Sequence, residues 1–98
     1  MAQTQHFRGV ETTTYRDHDG ALVGVYRGTP VVKQLGNIIT LNTGGWRSNT
    51  TKTRMNQFSN TFAHSSFGVV QRNYDWFVLV NDLELPFDNQ TITFEVIA

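Results

Sequence analysis

The chain contains no cysteine. Disulfide staples and thiolate metal sites are therefore excluded. Its three histidines, His6, His18 and His64, show no metal-ligand spacing. No apolar run approaches the length needed to span a bilayer. The opening residues, Met-Ala-Gln-Thr-Gln-His, lack the basic-then-apolar order of a secretory signal. A soluble intracellular protein without metal or cofactor is the expectation. No acid–base pair or activated nucleophile stands out, so an enzyme is not expected. Ninety-eight residues, 39% of them hydrophobic, suit one compact domain with a modest core.

The formal net charge is zero, but the charges are unevenly placed along the chain. Between Gly20 and Asn73 there is no acid, and six bases: Arg27, Lys33, Arg47, Lys52, Arg54 and Arg72. After Tyr74 there are five acids and no base. Such segregation gives one positive and one negative surface if folding preserves it, and neither if strand order interleaves the halves.

Strand signals dominate. Phe7–Tyr15 is rich in Thr, Val and aromatic residues, and Asp17-His18-Asp19-Gly20 is turn chemistry. Ala21–Arg27 reads as the return strand, broken by Gly28-Thr29-Pro30. Val31–Gln34 and Ile38–Asn42 flank a second turn, Leu35-Gly36-Asn37. Asn49 or Thr50 can cap a helix of about three turns, with Met55, Phe58 and Phe62 on one face. Phe67–Arg72, Trp76–Val80, Leu83–Phe87 and Thr91–Ile97 then read as an antiparallel meander, with Trp76, Val78 and Val80 on its buried face. The fold class expected is α+β, about seven or eight mostly antiparallel strands with one short helix packed on them.

Residues 43–58 carry the densest chemistry. Gly44 and Gly45 allow close approach of backbone to a ligand. Trp46 can stack on a base, with Arg47 beside it. Thr50, Thr51, Lys52 and Arg54 surround a helix start, where free amides and the helix dipole favour an anion. Cations at that end oppose the dipole, a mild conflict that a bound phosphate relieves. The same residues also suit a plain capped helix with solvated cations and Trp46 in the core. A P-loop is excluded, because the glycines lie too far before Lys52. Asp17-His18-Asp19 reads as a solvated turn, since adjacent side chains on a turn diverge.

Leu41-Asn42-Thr43-Gly44-Gly45-Trp46, Thr50-Thr51-Lys52 and Arg54-Met55-Asn56-Gln57 together resemble a family of short bacteriophage proteins. Phe67-Gly68-Val69-Val70-Gln71-Arg72 and Trp76-Phe77-Val78 are similar to its closing hairpin. The resemblance implies the cytoplasm of an infected bacterium as the location. It is compatible with phage sponges that sequester cyclic nucleotide signals of CBASS or Thoeris immunity, which are multimeric and non-enzymatic. The expectation is a homo-oligomer binding a cyclic oligonucleotide through Trp46, Arg47, Thr50, Thr51, Lys52, Arg54 and Arg72. A nucleic-acid-binding regulator and a host-protein interaction module are the alternatives. Zero net charge weighs against the regulator.

Overall fold

The computed structural model describes residues 11–45 and 47–97. It contains eight strands and one helix: β1 (Thr12–Arg16), β2 (Leu22–Tyr26), β3 (Thr29–Leu35), β4 (Ile38–Asn42), α1 (Asn49–Phe62), β5 (Phe67–Arg72), β6 (Asp75–Val80), β7 (Leu83–Pro86) and β8 (Thr91–Glu95). The α+β expectation holds. The strands divide, however, into two antiparallel sheets, ordered β1-β2-β3-β4-β8 and β5-β6-β7.

Tight turns set the registers. Tyr26 pairs with Thr29 across Arg27-Gly28, Arg72 with Asp75 across Asn73-Tyr74, and Val80 with Leu83 across Asn81-Asp82. All six turn residues have positive φ. Two-residue turns of that hand match the natural strand twist. The first of these corrects the sequence reading. Thr29 and Pro30 do not break the strand but begin β3. Pro30 lacks an amide donor, and the register against β2 shifts between Gly24 and Val25 to pass it. β1 starts at Thr12, and the earlier part of the expected strand, residues 7–10, lies outside the described residues.

The second correction concerns the meander. Three of its four strands form one sheet, but β8 leaves to pair with β4, with Ile39 opposite Phe94 and Leu41 opposite Ile92. The core therefore draws on both sheets. Ile39, Leu41 and Phe94 of the first meet Phe67, Val69, Trp76 and Val78 of the second, and Met55 and Phe58 of α1. Trp76, Val78 and Val80 form the buried face expected of β6. Burial of a side chain such as Phe58 contributes about 1.5–3 kcal/mol.

The helix is 14 residues long, about four turns rather than three. Its cap is Ser48, not Asn49 or Thr50, because the Ser48 side chain accepts from the Thr51 amide. Its threonines and asparagines are weak helix formers, so tertiary anchorage matters. Met55 and Phe58 are fully buried, and Phe62 is half-buried against Phe58 with ring centroids 5.0 Å apart. A polar row clasps the edge of β5. The Asn56 amide donates to the Val69 carbonyl at 3.0 Å and accepts from the Val69 amide at 2.7 Å. Ser59 treats Phe67 likewise, donating at 2.6 Å and accepting at 3.2 Å. Two side chains thus stand in for a neighbouring strand.

Candidate functional site

The clasp fixes α1 with its N-terminus against the β2–β3 turn and the loop after β4. Between them lies a cleft of about 320 Å³. Tyr26, Arg27 and Thr29 form one wall, Thr43 and Gly44 the floor, and Ser48, Thr50 and Thr51 the other wall. Hydroxyl groups predominate, with one guanidinium at the rim.

The loop entering the cleft is built from side-chain acceptors. Asn42 accepts from the Gly44 amide at 2.8 Å, and Thr43 from the Gly45 amide at 3.2 Å. Gln90 donates to the same Asn42 oxygen at 3.2 Å, and the Gln90 carbonyl receives the Thr43 amide at 2.9 Å. The loop is thus tied to the start of β8. Gly44 has φ of 70°, and a Cβ there would sit 2.9 Å from Thr29 Cγ2. A side chain at this point would force Thr29 to shift.

At the helix start, Ser48 Oγ accepts from the Thr51 amide at 3.1 Å and lies 2.9 Å from Thr51 Oγ1. The Ser48 carbonyl accepts from the Lys52 amide at 3.1 Å. The amides of Asn49 and Thr50 have no intrahelical acceptor. No acid occupies the first turn. The positive end of the helix dipole is therefore not offset locally by a carboxylate.

The expected site residues separate into groups. Thr50 and Thr51 line the cleft, Thr50 exposed and Thr51 buried in the cap. Arg54 lies behind it, its guanidinium 5.6 Å from the Tyr26 ring centroid and its Nη1 donating to Gln57 at 2.9 Å. Lys52 is half-buried and has no ion-pair partner among the described residues. Arg47 turns the other way. It donates to the Phe87 carbonyl at 2.8 Å and rests 6.0 Å over the Trp76 ring, bracing the loop after β7. Arg72 is on the second sheet, paired with Glu84 and over Phe77, and does not line the cleft. Trp46 lies outside the described residues.

Tyr26, Arg27 and Thr29 were not expected in the site. Their placement depends on the β2–β3 hairpin lying across the helix start, which no local pattern announces. The aromatic beside a turn at Tyr26 was the available signal.

Folding brings acids from both ends of the chain onto the basic span. Glu11 pairs with Arg27 at 2.6 Å, Asp17 with Lys33 at 3.3 Å, and Glu84 with Arg72. Three of the six bases in the acid-free span are thus matched by acids from outside it. The Glu11 carboxylate, by hydrogen bond and by charge, holds the Arg27 guanidinium above its ordinary range. Asp17-His18-Asp19 is a structural turn. Asp17 accepts from the Asp19 and Ala21 amides at 2.9 and 3.0 Å. Among the described residues no three His, Asp or Glu side chains cluster as a metal site. No described helix is long and apolar enough to cross a membrane.

The sequence profile of the Kyanoviridae Gp96 protein family matches residues 1–94. The chain belongs to this bacteriophage protein family. The match takes in the whole cleft and every strand except the last residue of β8, so the glycine loop and helix start lie inside the family region. No curated protein matches the chain. No solved structure matches it either.

Proposed function

We propose that this phage protein binds and sequesters a small nucleotide-like anion, most concretely a cyclic oligonucleotide signal of host immunity, without transforming it. One observation carries this proposal. A helix start without an acidic residue faces a hydroxyl-lined cleft, with Arg27 at its rim and Tyr26, backed by Arg54, on its wall.

Each part suits a phosphate-bearing ring. The Asn49 and Thr50 amides and the Thr50 hydroxyl would take phosphate oxygens. Lys52 would supply charge from the helix start, and Arg27 would reach a phosphate only by exchanging the Glu11 carboxylate for it. Tyr26, with the Arg54 and Arg27 guanidinium groups 5.6 and 5.9 Å from its ring centroid, would offer a base its ring edge. Gly44 and Gly45, lacking side chains, would let a ligand approach the backbone closely. Arg47 and Arg72 would act only indirectly, through the fold.

The alternatives have less behind them. A nucleic-acid regulator needs a broad basic face. Matching of Arg27, Lys33 and Arg72 with acids leaves little of one. The first test is the ultraviolet spectrum of protein purified from infected cells. Retained nucleotide would raise absorbance at 260 nm over that of protein purified from uninfected cells. Equal spectra, together with failure of nucleotides to bind, would overturn the proposal.

A further inference from the structure

Arg27 stands at the rim of the cleft, and Glu11 is already bound to it. The Glu11 carboxylate accepts from the Arg27 Nε at 2.6 Å. The Glu11 carbonyl also accepts from the Arg27 amide, at 2.9 Å. One residue thus holds Arg27 twice, once by backbone and once by side chain. Glu11 reaches this position with φ of 61°, in the left-handed region that residues with a Cβ seldom adopt. Tyr26 adjoins the pair, its ring centroid 5.9 Å from the Arg27 guanidinium.

The two bonds are not equally secure. The backbone bond continues the ladder in which Thr12 pairs with Tyr26. The ion pair is open to water, with 68% of the Arg27 side chain and 51% of the Glu11 side chain exposed. Exposed pairs of this kind are held weakly. A phosphate can engage a guanidinium through two parallel charge-assisted hydrogen bonds. We propose that Glu11 is a resident competitor for Arg27, and that a phosphate entering the cleft displaces its carboxylate.

Such competition filters ligands. The backbone bond keeps Glu11 in place after displacement, so its carboxylate stays at high effective concentration beside the guanidinium. It weakens every anion that needs Arg27 by about the same factor. An anion held by Arg27 alone is thereby kept out. A nucleotide held also by the Thr50 hydroxyl and by the Asn49 and Thr50 amides remains bound. Glu11 thus guards the cleft against simple anions. This inference rests on the ligand-binding proposal, because the cleft must take a phosphate for the competition to occur.

NMR titration of the full chain with AMP tests the exchange, read at the Asn49 and Thr50 amides and at the Arg27 Nε–H. Glu11→Gln keeps the side-chain length and the backbone bond, and thermal melting checks that the variant is folded. It should lower the AMP dissociation constant about three- to fivefold, the range set by an exposed ion pair. In an Arg27→Ala background the same change should have a smaller effect at about 0.15 M salt, where simple repulsion is screened. In the wild type, the Arg27 Nε–H signal should move as AMP saturates the cleft. Equal affinities of wild type and Glu11→Gln, an equal gain without Arg27, or an Arg27 signal unmoved at saturation overturns the competition and leaves ligand binding standing. If AMP binds neither protein and no cyclic nucleotide binds either, the ligand-binding proposal is overturned and the competition with it.

Discussion

Gly44 lies so close to Thr29 that any side chain at position 44 would press on the threonine. A Cβ on Gly44 would lie 2.9 Å from Thr29 Cγ2 and 3.1 Å from its Oγ1, on a backbone with φ of 70°. The loop after β4 and the start of β3 are held together there, and both line the cleft. Gly44→Ala should therefore cost about 1–3 kcal/mol in chemical denaturation, from left-handed strain plus overpacking. Gly28→Ala is the control. Its φ is 76°, but nothing lies within 4 Å of its added methyl. It should cost only the strain, about 1–2 kcal/mol. Equal losses at the two positions would show that the Thr29 contact carries no weight.

Asn56 holds the helix to β5 by serving both the donor and the acceptor of Val69. Asn56→Ala strands two partly buried backbone groups, each costing about 1–3 kcal/mol. Asn56→Asp keeps the acceptor for the Val69 amide and loses the donor, so its loss should be smaller. Urea unfolding of the three proteins should rank them wild type, Asp, Ala in falling stability. Alanine equal to wild type would mean that the clasp is incidental.

Asp17 gives the fold an acid-side pH dependence. Burial alone would raise its pKa, but hydrogen bonds from the Ala21 amide, Lys33 and the Asp19 amide outweigh it and hold the pKa below the usual 3.8. A depressed carboxyl stabilises the fold above its unfolded value, and that stability fades as pH falls through the folded value. Wild type should therefore lose thermal stability below about pH 4 more steeply than Asp17→Asn, with the two curves converging at the acid end. Parallel curves would contradict the assignment.

Much of the fold was legible in the sequence because strand turns are local. Asn81-Asp82 and Gly36-Asn37 announce themselves by residue type, and the strands around them follow. The partner of β8 was not legible, because it is chosen by packing. Phe94 and Ile92 complete the core only beside Ile39 and Leu41. Pro30 misled, since a strand can pass a proline by shifting register. At the site, Thr50 and Thr51 were found because a helix start is a local signal. Tyr26 and Thr29 were not, because a hairpin 20 residues earlier brings them there. Arg47 and Arg72 looked alike as cations, and only the fold commits one to backbone carbonyls and the other to Glu84.

The most direct test of the cleft is titration calorimetry of the purified protein with a panel of cyclic dinucleotides, cyclic trinucleotides and ADP-ribose derivatives. At least one should bind with a Kd below about 10 μM, and the ligand should be recovered intact. Lys52→Ala and Arg54→Ala should each weaken it about tenfold or more, as should added salt. Arg72→Ala should leave the affinity nearly unchanged, because Arg72 sits on the second sheet, paired with Glu84. No binding across the panel, or binding indifferent to Lys52 and Arg54, would contradict a nucleotide-sequestering function for this protein.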